Sequence, residues 1–264
     1  MAFQLFSEKL QNLIKQKGFI EPTLPQKMGI PDIISGKNVL IIAPTGSGKT
    51  EAASLGLFDK ISQNKEQPIA MLYINPLRSL SRDLLDRLVW WADKLDLDIA
   101  VRHGDVPQRE RAAQAEMPPH VLIITPETLG AILTGKKMKE HLKNVKYVIV
   151  DEIHELVESK RGIQLSLLLE RLREFAGDFQ RIGLSATVGS PEKVAAFLGN
   201  DVKIIRAELE KRYKIHVENP KPGMKDKAIS DELLIGPETT ARLRRLYELI
   251  LSHKSVLAFT NTRE

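Results

Sequence analysis

APTGSGKT, at residues 43–50, is the stretch that decides the fold of this chain. It follows the apolar run 39–42, which predicts a buried strand, and it precedes Glu51–Leu55, which predicts the start of a helix. Gly46 and Gly48 lack a Cβ, so the backbone between strand and helix can adopt left-handed angles and wrap closely around an anion. The unpaired N–H groups of the helix start favour an anion at the same place. This order of strand, glycine-rich turn, Gly-Lys-Thr and helix predicts a phosphate-binding loop.

The loop also contains the side chains that triphosphate chemistry needs. Lys49 would place a positive charge at the β- and γ-phosphates of a nucleoside triphosphate, and the Thr50 hydroxyl would bind Mg²⁺. Ala43 departs from the general pattern, which opens with glycine. The alternative is a glycine-rich turn with no ligand. The predicted nucleotide-binding residues of the loop are Thr45, Gly46, Ser47, Gly48, Lys49 and Thr50.

Length and composition bound the class of protein. The 264 residues are 42% apolar, enough for one large α/β domain or for one domain and part of another. A net charge of +5 permits a nucleic-acid partner but does not require one. The absence of cysteine excludes disulfides, thiolate metal sites and thiol nucleophiles. Since the sequence has no signal peptide and no long apolar run, we expect no membrane partner and a cytoplasmic location.

Strands and helices alternate along the chain. An amphipathic helix is predicted over residues 3–17, and a second helix should reach Ile34 after a proline-broken segment. Strand and helix alternation after the loop predicts an α/β fold with a mostly parallel sheet and helices on both faces. The predicted strands after the loop are 69–74, 99–101, 121–124, 147–150, 182–184 and 202–205.

Two predicted helix starts directly follow strands. Asn75-Pro76 and Thr125-Pro126, like Ser190-Pro191, place an N-cap residue before a proline at the first helical position. The first two should lie at the carboxyl edge of the sheet, where open α/β sheets bind ligands. Arg78 and Arg82 add positive charge beside the first. Such helix starts suit the phosphates of a nucleic-acid strand, although ordinary helix capping is the alternative.

An acidic pair follows the apolar strand 147–150. Asp151 could reach a Mg²⁺ held by Thr50, because both would lie at the carboxyl edge of the sheet. Glu152 could accept a proton from an attacking water and orient it. The alternative is two solvated acids that open a helix, a position that the helix dipole favours.

Four further polar residues are candidates with weaker signals. The amide of Gln26 could recognise an adenine edge, or the residue could lie on a helix surface. His154 could connect the nucleotide site to Ser185 or Thr187, or it could be a hydrogen-bonded structural histidine. The hydroxyls of Ser185 and Thr187 follow a predicted strand and could bridge that network.

Together, in this order, these segments resemble superfamily 2 helicases of the DExH type, most closely the large helicase-related family. The matching segments are Phe19 to Gln26 (Q motif), 43–50 (motif I), Pro76–Asp83 (motif Ia), Gly104-Asp105 (the loop between), Thr125-Pro126-Glu127 (motif Ib), Asp151–His154 (motif II) and Ser185–Thr187 (motif III). The resemblance implies that residues 1–206 form a RecA-like domain that binds ATP and Mg²⁺. It implies catalytic roles for Lys49, Asp151, Glu152 and His154, adenine recognition by Gln26, and coupling through Ser185 and Thr187. It implies nucleic-acid contacts by Pro76, Arg78, Ser79, Arg82, Gly104, Asp105, Thr125, Pro126 and Glu127.

The function that the resemblance implies is ATP-driven translocation or unwinding. DNA, single-stranded or duplex, is the favoured partner, and an ATP-dependent RNA helicase is the near alternative. A P-loop GTPase would need an Asn-Lys-x-Asp motif, which the sequence lacks. Small-molecule kinases would not need the acidic pair and Ser-Ala-Thr downstream. The intact Lys49, Thr50, Asp151 and Glu152 disfavour a non-catalytic nucleic-acid clamp.

Residues 207–264 are predicted to be a linker and the incomplete start of a second RecA-like domain. Ser255–Thr260 predicts a strand, and Asn261–Arg263 resembles motif IV. The preceding helix has an apolar stripe that needs a partner surface, formed by Leu243, Leu246, Tyr247, Ile250 and Leu251. We expect the chain to be the front part of a longer protein whose second RecA-like domain is its partner. Because the arginines of motifs V and VI belong to that domain, this chain should bind ATP but hydrolyse it slowly.

Overall fold

The computed structural model describes residues 2–207 and 214–259. The chain divides into two compact units, Met1–Glu210 and Lys211–Glu264. None of the helices in the described residues combines the length and the apolar character that crossing a bilayer requires.

The first unit contains a seven-stranded sheet in which every pairing is parallel. The strands are β1 (Asn38–Ile42), β2 (Met71–Ile74), β3 (Ile99–Arg102), β4 (Val121–Ile124), β5 (Tyr147–Val150), β6 (Gln180–Ser185) and β7 (Val202–Arg206). Their spatial order is β3-β4-β2-β5-β6-β1-β7. The carboxyl ends of all seven strands therefore lie at one edge of the sheet, and the predicted parallel α/β fold is confirmed.

Helices cover both faces of this sheet. The helices of the first unit are α1 (Glu8–Gln16), α2 (Leu24–Ile34), α3 (Lys49–Asn64), α4 (Arg78–Lys94), α5 (Gln108–Glu116), α6 (Pro126–Thr134), α7 (Lys137–His141), α8 (His154–Val157), α9 (Lys160–Ala176) and α10 (Pro191–Leu198). Successive residues of β2 alternate between the two cores, since Met71 and Tyr73 pack in one cluster and Leu72 and Ile74 in the other. A strand buried on both faces reads as a continuous apolar run, which is why the strands are visible in the sequence.

Two predicted helix starts are wrong. The helix expected over residues 3–17 is interrupted at Ser7, whose Oγ accepts a hydrogen bond from Leu10 N and so caps α1. Asn75 does not cap the helix after β2, because α4 begins at Arg78 with Leu77 as its N-cap. The Asn75 Oδ1 instead accepts a hydrogen bond from Leu77 N at 2.9 Å, which makes a turn before the helix. Thr125 and Ser190 are N-caps as predicted.

The second unit contains helices α11 (Met224–Leu233) and α12 (Pro237–Ser252). The strand predicted over Ser255–Thr260 is wrong for Ser255–Phe259, which has no regular structure. No other strand lies within residues 214–259, so this segment has no strand to pair with there. Thr260 and Asn261–Arg263 lie outside the described residues. Four residues of the predicted stripe on α12 are exposed in the structure, namely Leu243, Tyr247, Ile250 and Leu251.

Candidate functional site

The glycine-rich turn joins β1 to α3. Gly46 has a φ of 73° and Gly48 a φ of 86°, the left-handed angles that favour glycine. A Cβ on Gly48 would also lie 2.8 Å from Gln26 Nε2 and 3.0 Å from Thr23 Oγ1. The left-handed backbone angle therefore favours glycine at residue 48, and a Cβ there would also force the Gln26 amide to shift. The helix begins at Lys49, so its first N–H groups face the turn.

Lys49 is buried, and its ammonium is held by backbone carbonyls. Its Nζ donates to Ala43 O at 2.7 Å and to Ser185 O at 3.1 Å, at the carboxyl ends of β1 and β6. Burial lowers the pKa of Lys49, and the charges of Glu152 and Asp151 oppose this shift. The two acids far along the chain are thus close enough to Lys49 to act on its charge.

Asp151 follows the last residue of β5 and is fixed by two donors. Tyr73 OH donates to Asp151 Oδ2 at 2.7 Å, and Glu152 N donates to Asp151 Oδ1 at 2.9 Å. Tyr73 is fully buried, and burial followed by the Asp151 charge raises the pKa of its hydroxyl. The Thr50 side chain opposes this shift of the Tyr73 pKa. The sequence places Tyr73 in an apolar strand and gives no sign of its contact with Asp151.

Glu152 is held in an unusual backbone conformation beside Asp151. Its φ is 42°, a left-handed angle that is costly for a residue with a Cβ. Burial, and then the Asp151 charge, raise the pKa of Glu152, while Lys49 and His154 oppose the shift. A carboxylate with a raised pKa accepts a proton more readily, which suits the predicted role of a general base.

The coupling candidates lie beside this acidic pair. His154 Nδ1 lies 3.5 Å from Glu152 Oε2, and it is buried without a hydrogen bond among the described residues. Ser185 Oγ is also buried without a hydrogen bond to any residue that the structure describes. Thr187 is exposed. His154 and Ser185 therefore have unused hydrogen-bonding capacity next to the site, and their coupling role stays a prediction.

Most of the predicted nucleotide residues line one cavity of about 250 Å³ at the carboxyl edge of the sheet. The predicted residues that line it are Thr45, Gly46, Gly48, Lys49, Thr50, Asp151 and Glu152. Ser47 does not line it, and its Oγ donates to Pro44 O at 2.6 Å within the turn. Gln26 does not line it either. Its Oε1 accepts from Thr23 N at 3.0 Å and its Nε2 donates to Gly48 O at 3.4 Å, so its adenine-reading role stays a prediction.

A second, wider groove of about 610 Å³ lies at the ends of β3 and β4. Of the predicted nucleic-acid residues, Arg78, Gly104, Thr125 and Glu127 line it, and Asp105 is ion-paired to Arg78 at 3.1 Å. The other predicted nucleic-acid residues, which are Pro76, Ser79, Arg82 and Pro126, do not line this groove, although Ser79 and Arg82 are exposed.

Arg161 connects two of the predicted nucleic-acid segments. Its Nε donates to Glu127 Oε1 at 2.6 Å, and its Nη2 donates to Pro76 O at 2.8 Å. Arg161 therefore ties the segment after β2 to the segment after β4. The sequence gives no signal for this contact, because Arg161 lies in α9, outside the segments that resemble helicase motifs.

The fold and the first cavity define a class of protein. A parallel sheet carries a glycine-rich turn with its lysine after one strand and an acidic pair after another, which is the arrangement of a RecA-like P-loop domain. Comparison with known proteins gives the family within this class. Residues 23–195 match the model of the DEAD/DEAH box helicase family, and the chain belongs to that family.

Individual relatives agree with this assignment. The chain is 41% identical, over 99% of its length, to the ATP-dependent helicase Lhr-Core of Sulfolobus acidocaldarius, of which it covers 31%. It is 34% identical over 94% of its length to the Lhr helicase/uracil glycosylase of Escherichia coli, of which it covers 18%. The structure of the Mycobacterium smegmatis helicase Lhr bound to ssDNA and AMP-PNP matches 87% of the chain with a TM-score of 0.78 and 36% identity, and 33% of that protein is covered. The resemblance to the large helicase-related family is confirmed, and the chain spans about a third or less of these relatives.

Proposed function

We propose that this chain binds ATP with Mg²⁺ and serves as the ATP-binding part of a helicase or translocase that acts on nucleic acid, DNA in preference to RNA. The observation that carries the proposal is the convergence of Lys49, Thr50, Asp151 and Glu152 on one cavity at the carboxyl edge of the sheet. The first two residues are separated from the last two by about a hundred positions in the sequence, so their convergence is a property of the fold.

The residues at this cavity fit Mg²⁺. Thr50 and Asp151 offer a hydroxyl and a carboxylate, the hard oxygen donors that Mg²⁺ prefers, and this ion usually keeps several waters besides one or two protein ligands. Asp151 uses one lone pair on each oxygen for Tyr73 and Glu152 N, which leaves further lone pairs for a metal. When bound, Mg²⁺ would neutralise charge that develops between the β- and γ-phosphates.

The other residues of the cavity supply binding and proton transfer. The free N–H groups at the start of α3 and the ammonium of Lys49 would bind the β- and γ-phosphates. Glu152 would orient the attacking water and take up its proton. In the intact protein, ATP would draw this domain and a second RecA-like domain together, and the assignment of residues 1–206 and 207–264 to these domains stays a prediction.

Nucleic acid is the expected second ligand. The groove at the ends of β3 and β4 supports it, as does the relative bound to ssDNA at 36% identity. Contacts to phosphates would make binding salt-sensitive and nearly independent of base sequence. A cytoplasmic location is part of the same proposal.

Nucleotide binding and hydrolysis can be tested with two substitutions. Lys49→Ala should abolish binding of a fluorescent ATP analogue to this chain, because it removes the ammonium from the phosphate site. Glu152→Gln should retain binding but abolish turnover in the full-length protein, because the amide cannot accept the proton. Lys15→Ala, an exposed lysine on α1, is the matched control for loss of charge.

The nucleic-acid partner is tested by ATPase assays of the full-length protein with single-stranded DNA, duplex DNA and RNA in parallel. Stimulation by DNA above RNA is the expected result. Stimulation by RNA alone would favour the RNA helicase instead, and nucleotide binding that survives Lys49→Ala would contradict the assignment of the cavity.

A further inference from the structure

The groove at the ends of β3 and β4 is strongly basic. Its lining includes five lysine and arginine side chains and a single carboxylate, namely Arg78, Arg102, Arg111, Lys136, Lys137 and Glu127. Two of these cations have acidic partners outside the lining, because Arg78 pairs with Asp105 at 3.1 Å and Lys137 pairs with Glu116 at 2.5 Å. Neither Arg102 nor Arg111 forms an ion pair with a carboxylate in the described part of the chain.

Arg102 is held rigidly by uncharged groups. Its Nη1 donates to Arg111 O at 2.7 Å and to Gln114 Oε1 at 3.1 Å, while Gln114 Nε2 donates to Val101 O at 2.9 Å. These bonds fix the last residue of β3 against α5. They use only one of the guanidinium nitrogens of Arg102, and the other two nitrogens have donors to spare.

The guanidinium of Arg111, unlike that of Arg102, has an unbonded buried nitrogen. Its Nε is buried without a hydrogen bond among residues 2–207 and 214–259. Burial, and then the charge of Arg111, lower the pKa of Arg102, so the two guanidinium groups are close enough to repel each other. Two arginines placed together, partly desolvated and without an acid are unfavourable in the absence of an anion. Arginine stays protonated under these conditions, so the positive charge remains.

The place of the pair in the fold agrees with a ligand at the sheet edge. Arg102 is the last residue of β3 and lies in register with Ile124, the last residue of β4. Thr125 follows Ile124 and lines the same groove. The arginine pair therefore lies beside the start of α6, and its free donors can act on the same ligand as that helix start.

We propose that Arg102 and Arg111 form a binding site for one backbone phosphate of the nucleic-acid strand. This inference rests on the proposed function and extends its nucleic-acid track from the helix starts to the end of β3. Arg111 contacts the phosphate through its two terminal guanidinium nitrogens, which are not among the buried side-chain atoms, and Arg102 adds charge from a fixed position. A guanidinium pair suits a phosphodiester because each group can offer two parallel donors to its oxygens.

The site can be tested with Arg111→Gln and a matched control on the same helix. Arg109 is exposed, has no acidic partner in the described residues and does not line the groove, so Arg109→Gln removes the same charge from α5. Binding of a short fluorescein-labelled oligothymidylate to the chain is measured by anisotropy over a range of salt concentrations. Arg111→Gln should weaken binding about tenfold and reduce the salt slope by about 0.7, the value for one phosphate contact on a single strand. Arg109→Gln should change both by much less.

Arg111→Lys separates charge from geometry. It should retain most of the salt slope but lose affinity, because lysine keeps the charge without the planar fork. All variants should bind a fluorescent ATP analogue as the unaltered chain does, which confirms that the fold is intact. Equal effects of Arg111→Gln and Arg109→Gln would overturn the arginine site and leave the proposed function standing. Failure of the unaltered chain to bind the oligonucleotide, with nucleotide binding intact, would overturn both.

Discussion

Tyr73 is the residue that fixes the Asp151 carboxylate through a hydrogen bond. Its hydroxyl is fully buried and donates to Asp151 Oδ2 at 2.7 Å. The sequence predicted that Lys49, Thr50 and Asp151 meet at one site, because their types and order are specific. It could not predict the role of Tyr73, because a tyrosine within an apolar strand is typical of a core residue. The contact depends on the pairing of β2 with β5, which is a long-range property.

Removal of this hydroxyl should weaken the response of the site to Mg²⁺. Tyr73→Phe keeps the buried ring but removes the donor to Asp151 Oδ2 and leaves only Glu152 N bonded to the carboxylate. A hydrogen bond to a charged group contributes about 1.5–3 kcal/mol. The Mg²⁺ concentration that half-saturates the metal-dependent part of ATP-analogue binding should rise about tenfold. Binding measured without metal should change little.

Tyr147→Phe is the matched control for this substitution. Tyr147 is also a largely buried strand tyrosine, but it begins β5, at the opposite end from Asp151. A purely structural role for Tyr73 would lower the melting temperature without changing the Mg²⁺ dependence, and that result would contradict the prediction.

At the scale of the elements, strand ends and helix starts could be predicted better than the contacts that join them. Thr125 precedes a proline and caps α6, because the proline fixes the first helical residue. Asn75 also precedes a proline but makes a turn, and α4 starts three residues later, at Arg78. Local preference allows both outcomes, and the packing of the segment between β2 and α4 decides between them.

Edge strand β7 is tied to α2 through Asp32. The Asp32 carboxylate contacts Lys203 at 2.6 Å and Lys37 at 2.9 Å, and it is 8% exposed. Burial alone would raise the pKa of Asp32, but the hydrogen bonds and charges of Lys203 and Lys37 hold it below its usual value of 3.8. A lowered pKa in the folded state contributes stability that is present above the unfolded pKa and is lost as pH falls through the folded pKa.

Asp32→Asn should therefore make the free energy of unfolding less dependent on pH in the acidic range. The free energy of unfolding at neutral pH should fall by about 2 kcal/mol, since the charge-assisted bonds are lost. The further loss of stability between about pH 7 and about pH 3 should be smaller than in the unaltered chain. Chemical denaturation at the two pH values measures both quantities. Asp86→Asn, at an exposed position on α4, should leave the acid dependence unchanged, and an equal change in both variants would contradict the assignment to Asp32.

At the scale of the whole molecule, the sequence predicted the class of fold but not the order of its strands. Apolar runs and turns place strands along the chain, whereas the order β3-β4-β2-β5-β6-β1-β7 depends on contacts between distant segments. The failed strand over Ser255–Phe259 has the same cause, since a strand needs a neighbour as well as a suitable composition. The family resemblance implied a RecA-like domain, and the order of the strands is known only from the structure.

The chain of 264 residues should bind ATP but turn it over very slowly. The resemblance places the arginines that reach the γ-phosphate in motifs V and VI, and we match neither motif in this sequence. Because such an arginine contributes about 10³–10⁵-fold to the rate, turnover should lie at least about a thousandfold below that of the full-length protein. Steady-state phosphate release with and without single-stranded DNA measures this difference. Nucleic-acid-stimulated turnover by the 264 residues at a comparable rate would refute it.

The carbonyl contacts of Lys49 have a consequence for how affinity should be understood. Its ammonium already donates to Ala43 O and Ser185 O, so a triphosphate bound as proposed would have to replace these two carbonyls as acceptors. The affinity for the triphosphate would then reflect the difference between two hydrogen-bonded states of Lys49. Release of the product would return the ammonium to the two carbonyls. One of the two carbonyls belongs to Ser185, the last residue of β6. Binding of a triphosphate would therefore remove a hydrogen bond from the end of β6, and release would restore it.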